Sequence, residues 1–148
     1  MSSSSSTVRY SKFETELQVR PDDIDMNQHV HNSRYFDYVL AARYDQMERC
    51  YRMSMEEFIQ MGLAWVVRTS FINFKRPLGL GDRFIVRTWI ESMVKDGARV
   101  CFEIMKKDNG KPPGGKLSCD GYFDYTMINV KTGRAEVIPE SIIQKYSI

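Results

Sequence analysis

Residues 22–36 have the sequence DDIDMNQHVHNSRYF, and the elements on either side of this segment are arranged around it. This polar segment contains aspartates, amides and both histidines of the chain, and it lies directly before the longest run with helical periodicity. A polar loop that leads into a helix presents unpaired backbone N–H groups and the positive end of the helix dipole. Both features stabilise negative charge, so we expect the chemistry of this protein to lie here.

The segments on either side of this loop have clear periodicities. Apolar and polar residues alternate over residues 13–20, which is typical of a half-buried strand, and Pro21 ends that strand. From Ser33 to about Met53 the apolar residues recur at steps of three and four, which predicts a mainly buried helix. Asn32 or Ser33 is suited to cap its start.

The second half of the chain is rich in strand-forming residues. Before it, Ser54 and Glu57 have the spacing of a capping box, which predicts a short helix that ends at Gly62. The predicted strands cover residues 64–74, 83–91, 99–107 and 117–130, with turns at 96–97, 109–115 and 131–134 and a last short helix from Pro139. This order predicts an α+β domain in which one antiparallel sheet covers the long helix.

Composition sets the domain count and excludes some partners. The 148 residues are enough for one domain, which we place at 11–148, after a serine-rich tail at 1–10 that we expect to be disordered. The net charge of +2 is spread along the chain, so we expect no nucleic-acid partner. Three cysteines without metal-site spacing favour a reducing compartment, and no run is apolar enough to span a membrane, so we expect a cytoplasmic protein.

The loop does not match a known metal-binding pattern. Asp23, Asp25 and Asn27 begin like a calcium-binding loop, but Gln28 stands where that loop needs glycine and Arg34 where it needs glutamate. The pair His29 and His31 lacks the helical spacing of a zinc hydrolase. We therefore expect no metal ion and no cofactor.

A carboxylate in the loop is a candidate general base or nucleophile. The adjacent helix start favours its ionised form, and it could activate water or attack an acyl carbon while the backbone N–H groups of Val30 and His31 stabilise the oxyanion. Thioesters are suitable substrates for a site with so few catalytic groups. Their leaving group is a thiolate whose conjugate acid has a pKa of about 8.5, so it departs with little help from a general acid. The alternative is that the aspartates only shape turns and cap the helix, and we prefer it for Asp22 and Asp23.

The segment at 25–35, DMNQHVHNSRY, resembles the signature of hot-dog-fold thioesterases. It is most similar to the form Asn-Gln-His-Val-x-Asn-x-x-Tyr of plant-type acyl-carrier-protein thioesterases. The predicted order of strand, long helix, short helix and further strands is also similar. The resemblance implies a hot-dog fold, in which an antiparallel sheet wraps around one long central helix.

The resemblance also implies roles for individual residues. Asp25 matches the catalytic carboxylate of the 4-hydroxybenzoyl-CoA thioesterase group, and Asn27 and His29 match the amide and imidazole of the acyl-carrier-protein enzymes. Asn32 and Tyr35 match positions that support the loop and the helix start. The chain departs from the plant enzymes at 74–77, FKRP, where no counterpart of their further glutamate is present.

The implied substrate is an acyl-CoA or acyl-carrier-protein thioester, with the acyl group in an apolar channel between helix and sheet. The plant enzymes hold two hot-dog repeats and this chain holds one, so we expect a homodimer, or a tetramer of two dimers, with the channel at its interface. Four aromatic residues are candidates to line the channel: Trp65, Phe71, Phe74 and Trp89. Lys106, Lys107, Lys111 and Lys116 could contact CoA phosphates or an acidic carrier, although we prefer the interpretation of a solvated hairpin.

Two other functions remain open at this stage. One is a hydratase or dehydratase of the same fold, whose motif Gly-Asp-x-Asn-Pro-x-His is met only in part, because the Gly and Pro are missing and His29 comes one residue early. The other is an acyl-CoA binding module without catalysis, for which the fold would suffice.

Overall fold

A computed structural model describes residues 10–107 and 116–148 of the chain. Five antiparallel strands form one sheet in the order β1-β3-β4-β5-β2. The strands are β1 Phe13–Gln18, β2 Leu63–Phe74, β3 Arg83–Val94, β4 Gly97–Lys106 and β5 Leu117–Asn129. The helices are α1 Tyr35–Arg49, α2 Met55–Gln60 and α3 Glu140–Tyr146, and short 3-10 turns lie at Pro21–Asp23 and Asn32–Arg34.

Helix α1 is central because its apolar side chains contact one face of the sheet. Its first half packs into a cluster with the first half of β3, the second half of β4 and the first half of β5. Its end joins a second cluster that also contains α2, α3 and the segment after α1. Burial of these side chains stabilises the fold by about 25 cal/mol per Å² of apolar surface. The predicted arrangement of one sheet covering one long helix is confirmed.

The predicted end of the long helix is wrong by several residues. Helix α1 ends at Arg49, although Tyr51 and Met53 continue the apolar spacing and are buried. The chain leaves the helix because the N–H groups of Cys50 and Tyr51 both donate to the Gln46 carbonyl, and Arg52 then adopts a left-handed φ of 59°. Apolar periodicity thus predicted burial correctly but not backbone conformation.

Other local predictions hold where the structure describes the chain. At the start of α2 the Ser54 N–H donates to Glu57 Oε2 at 2.7 Å, completing the predicted capping box. Gly133 has a φ of 70° in the predicted turn at 131–134. The predicted turn at 109–115 and most of the predicted tail at 1–10 lie outside the described residues. Tyr10, the last residue assigned to that tail, packs against the second cluster.

Gly121 shows how closely two strands approach each other in the sheet. A Cβ atom at this position would lie 1.9 Å from the Phe71 carbonyl oxygen on β2. We expect Gly121→Ala to lower the free energy of unfolding by about 2 kcal/mol, because the strands must separate. Denaturant unfolding measures this, with Gly79→Ala as control, since a Cβ there meets nothing closer than 3.6 Å. Equal stabilities of the two variants would contradict this packing.

Within the described ranges, no helix is long and apolar enough to cross a membrane.

Candidate active site

The acidic loop folds into a small hairpin. Ile24 and Val30 form an antiparallel bridge, and the Asp25 N–H donates to the His29 carbonyl at 2.8 Å. Gln28 has a φ of 63°, a left-handed conformation that closes the turn. The hairpin therefore holds the carboxylate of Asp25 at the start of a tight turn.

The Asp25 carboxylate is half-buried and has one anchored oxygen. Its Oδ1 accepts hydrogen bonds from the N–H of Asn27 at 2.8 Å and from the N–H of His29 at 3.2 Å. Its Oδ2 receives no hydrogen bond from residues 10–107 or 116–148. One oxygen thus fixes the orientation of the carboxylate, and the other is open to water or substrate.

The hairpin brings the three predicted catalytic residues into one turn. Their contact is made by backbone atoms, because Asn27 and His29 reach Asp25 through their N–H groups. Both side chains are exposed. The hairpin thus brings the three residues close together through the backbone, with the side chains of Asn27 and His29 in solvent.

The predicted oxyanion donors are wrong for this arrangement. The Val30 N–H donates to the Leu78 carbonyl at 2.8 Å, and the His31 N–H donates to the Asp23 carbonyl at 2.9 Å. A donor already paired with a carbonyl is not free to stabilise an oxyanion. These two N–H groups instead hold the hairpin against its neighbours.

The predicted helix cap is also corrected. A 3-10 turn separates the loop from α1, and the Ser33 N–H donates to Nδ1 of His31 at 3.2 Å. His31 therefore caps the 3-10 turn, and the N-cap of α1 is Arg34, which makes no capping hydrogen bond with its side chain, so neither Asn32 nor Ser33 caps α1. Asn32, predicted to support the motif, is exposed at the first position of this turn.

Asp23 organises the base of the loop. Its side chain is only 1% exposed and accepts from the Tyr38 hydroxyl at 2.6 Å and from Nε of Arg20 at 3.0 Å, while Nε of Arg34 lies 3.5 Å away. Burial raises the pKa of this carboxyl, but hydrogen bonds from Tyr38 and Arg20 outweigh burial and hold the pKa below its usual value. The structural role predicted for Asp23 fits this geometry, although sequence alone did not show that the residue is a buried hub.

Tyr35 ties the loop to the segment before β3. Its buried hydroxyl accepts from the Leu78 N–H at 3.0 Å, and the Leu78 carbonyl accepts from Val30. Burial raises the pKa of the Tyr35 hydroxyl, so it stays neutral. These contacts fit the supporting role implied by the resemblance.

Two of the three thiols are unsuited to act as nucleophiles. Burial raises the pKa of Cys101 to about 12, and burial likewise raises the pKa of Cys119 to about 12. Both groups are therefore protonated near neutral pH, and a protonated thiol is a poor nucleophile. The carboxylate of Asp25 is the better candidate.

A cavity of about 400 Å³ lies between the second half of α1 and the sheet. Its wall is mostly apolar and consists of Leu40, Arg43, Tyr44, Met47, Met55, Trp65, Val67, Ile90, Met93, Ala98, Val100, Tyr125 and Tyr146. Asp25 and its turn are not part of this wall. Arg43 was not among the residues predicted from the sequence, although a charged residue on the apolar face of a helix was a visible signal.

Only one of the four aromatic residues predicted to line the channel does so. Trp65 is in the cavity wall. Phe71 lies on the opposite face of the sheet and stacks on Tyr122, with ring centroids 5.6 Å apart. Phe74 packs edge-on against Tyr35 at 5.3 Å, beside the loop, and Trp89 lies under Lys12 on the outer face. Alternation alone would place Trp65 and Phe71 on one face of β2, because they are six residues apart, but the register shift between Val67 and Thr69 reverses the faces beyond it.

The predicted phosphate-binding lysines are engaged elsewhere where they are described. Lys106 pairs with Asp82 at 3.3 Å, and Lys107 pairs with Glu16 at 2.9 Å. Lys116 is exposed, and Lys111 lies outside the described residues.

Among residues 10–107 and 116–148, no group of three or more His, Cys, Asp or Glu residues could hold a metal ion.

Residues 19–146 match the family model of the thioesterase-like superfamily. The chain belongs to this superfamily. It is 26% identical over 133 residues to the long-chain acyl-CoA thioesterase FadM of Escherichia coli, covering 89% of this chain and 95% of that protein. It is 30% identical over 101 residues to the chloroplastic acyl-acyl carrier protein thioesterase ATL3 of Arabidopsis thaliana, a match that spans 67% of this chain and 52% of that protein.

A solved structure has the same fold. The crystal structure of DHNA-CoA thioesterase from Staphylococcus aureus matches with a TM-score of 0.83 at 19% identity, covering 92% of this chain and 89% of that chain. The fold is therefore the hot-dog fold, as the resemblance implied. Together with the family, it identifies the chain as a thioester hydrolase.

Proposed function

We propose that this thioesterase hydrolyses acyl-CoA or acyl-carrier-protein thioesters, with Asp25 as general base or nucleophile. The observation that carries the proposal is the Asp25 carboxylate, which is oriented through Oδ1 by two backbone N–H groups while Oδ2 is open. A carboxylate held in this way loses little freedom when it reacts. Its environment is polar and half-buried, so it can meet water and an acyl group together.

The loop provides the group that would take the proton from water or attack the acyl carbon. As a base, Asp25 accepts a proton from water while the water oxygen bonds to the acyl carbon. The carbon–sulfur bond then breaks, and the proton passes to the departing thiolate, which yields a free acid and a thiol. As a nucleophile, the carboxylate forms an anhydride that water then cleaves to the same products. In either case Asn27 positions water or substrate, and His29 assists through a hydrogen bond.

The relatives support an acyl thioester as the substrate class. FadM is named as a long-chain acyl-CoA thioesterase, and ATL3 as an acyl-acyl carrier protein thioesterase. The apolar cavity beside α1 has room for an acyl chain. The three cysteines are all free, which fits action in the reducing cytoplasm.

A second copy of the chain would complete the acyl channel. Strand β2 is an edge of the sheet, and its Val67 is 39% exposed at the cavity wall beside the exposed Leu40 and Tyr44 of α1. A long apolar edge favours pairing with another strand, and a two-fold axis lets the same edge serve both copies. We expect light scattering to give at least twice the 17.3 kDa of one chain, and Val67→Lys to lower that mass. A monomeric wild type would contradict this assembly.

The test of the proposal is release of free thiol from a panel of short, long and aromatic acyl-CoAs and from the matching acyl-carrier proteins. We expect thiol and free acid in equal amounts from one class of thioester. Hydration of an enoyl-CoA without thiol release would favour the hydratase function instead. Acyl-CoA binding without turnover of any thioester would favour the binding module.

A further inference from the structure

Arg43 places a positive charge in the wall of the acyl cavity. It lies on α1 and is only 7% exposed. One nitrogen of its guanidinium donates to the Thr88 hydroxyl at 3.3 Å, and its Cζ lies 5.3 Å from the centre of the Tyr51 ring. The Thr88 hydroxyl in turn donates to Gln46, so Thr88 is a neutral acceptor.

This guanidinium has no acidic partner among residues 10–107 and 116–148. Arginine offers five N–H donors, and buried arginines are nearly always paired. Among the described side chains the Tyr51 hydroxyl is the one fully enclosed polar atom without a partner. The Arg43 nitrogens that lack a hydrogen bond are therefore not fully buried. Because Arg43 lines the cavity, we place these nitrogens at the cavity surface.

A second polar group is available in the same wall. The Tyr125 hydroxyl makes no hydrogen bond with the described residues, and Tyr125 also lines the cavity. The hydroxyls of Tyr44 and Tyr146 already donate to Glu56 and to the Met53 carbonyl. Arg43, Tyr125 and the indole N–H of Trp65 are therefore the groups of this wall with donors free for a ligand, and Arg43 is the charged one.

A plain alkyl chain fits this wall poorly. It would displace water from the guanidinium and offer no acceptor in return, which is costly for a charged group. An acyl chain with an oxygen at the matching depth would instead receive charge-assisted hydrogen bonds. For a thioester bound at the loop of the same chain, that oxygen lies far from the reacting carbon, because Arg43 is eight residues after Tyr35, about 12 Å along the helix.

We propose that Arg43, with Tyr125, selects acyl groups that carry an oxygen acceptor, a carboxylate or a hydroxyl, toward the end distant from the thioester. This inference rests on the proposed thioesterase function and names its substrate class. Arg43 acts here as a specificity-determining residue that binds the distal end of the substrate.

The test compares three CoA thioesters of equal length: decanoyl-CoA, ω-hydroxydecanoyl-CoA and the monothioester of decanedioic acid. We expect kcat/KM of the wild type to be about tenfold or more higher for at least one oxygenated thioester than for decanoyl-CoA. A preference for the dicarboxylic thioester identifies a carboxylate as the ligand, and a preference for the hydroxy thioester identifies a hydroxyl. A wild type that prefers decanoyl-CoA, or does not discriminate, overturns the inference.

Variants assign the preference to the residue. Arg43→Met should remove the discrimination by lowering kcat/KM for the oxygenated thioester while decanoyl-CoA is hydrolysed at least as fast as before. Arg134→Met, at an exposed turn, is the matched control and should leave the ratio unchanged. If Arg43→Met fails to fold, Arg43→Lys and Tyr125→Phe each still remove donors and should reduce the ratio. Unchanged discrimination in the folded variants overturns the role of Arg43.

Binding of CoA thioethers, which cannot be hydrolysed, separates this inference from the proposed function. Calorimetry with the wild type should show tighter binding of S-(9-carboxynonyl)-CoA or S-(10-hydroxydecyl)-CoA than of S-decyl-CoA, and no turnover is needed. If these thioethers bind with that preference but no thioester is hydrolysed, the proposed function fails and the ligand class stands. If thioesters are hydrolysed but the three thioethers bind equally, the inference fails and the proposed function stands.

Discussion

Asp25→Asn is expected to lower kcat/KM for thioester hydrolysis by about 10²–10⁴-fold with little change in stability. Asparagine keeps the shape of the side chain, and its oxygen can still accept the N–H groups of Asn27 and His29. An amide can neither take a proton from water nor attack an acyl carbon under these conditions. The variant therefore removes the reacting group and leaves the hairpin intact.

The measurement is thiol release by the wild type and the variant, with thermal unfolding recorded for both. Asp22→Asn is the matched control, because Asp22 is exposed in the same loop and belongs to the preceding 3-10 turn. We expect the control to keep its activity. Full activity of a folded Asp25→Asn variant would remove Asp25 from the mechanism and direct the search to other acids near the loop.

Asp23→Ala is expected to lower the free energy of unfolding by about 3 kcal/mol. The substitution leaves the buried hydroxyl of Tyr38 without its acceptor and removes the charge-assisted hydrogen bond from Arg20. Arg20 and Arg34 are themselves 57% and 49% exposed, so water can solvate the charges that remain. Most of the expected loss of stability therefore comes from the hydrogen bonds that the buried Asp23 carboxylate accepts.

Denaturant unfolding measures this effect, with Asp22→Ala as control, for which we expect a change of about 0.5 kcal/mol or less. Activity of the folded Asp23→Ala fraction should also fall, since the Asp23 side chain contacts Arg20 before the hairpin and Arg34 after it. If the two variants are equally stable, the hydrogen bonds of the Asp23 carboxylate do not stabilise the fold.

The same carboxyl makes a predictable contribution to the pH dependence of stability. The pKa of Asp23 is lower in the folded protein than its ordinary value of 3.8, so the folded state favours the ionised form. Its contribution is complete above the unfolded pKa and is lost as the pH falls through the folded pKa. Below about pH 4 the stability difference between wild type and Asp23→Ala should therefore shrink. A difference that stays constant down to pH 2 would contradict this role.

Much of the fold was predictable because it depends on local patterns. Alternating side chains indicated the strands, a spacing of three and four indicated α1, and Ser54 with Glu57 marked the start of α2. The sequence by itself also determined the position of the candidate carboxylate, since Asp25 lies in a short polar motif directly before a helix. These features concern residues that are close along the chain, where propensity and capping act directly.

Tertiary structure alone decided which groups remain free to react or bind. The sequence allowed the backbone N–H groups of Val30 and His31 to be oxyanion donors, but in the folded chain they donate to the carbonyls of Leu78 and Asp23. Arg43 became a candidate ligand-binding residue only because α1 packs its guanidinium into a cavity that holds no acid among the described residues. Such pairings join residues distant in sequence, and local pattern carries no information about which donor meets which acceptor across the fold.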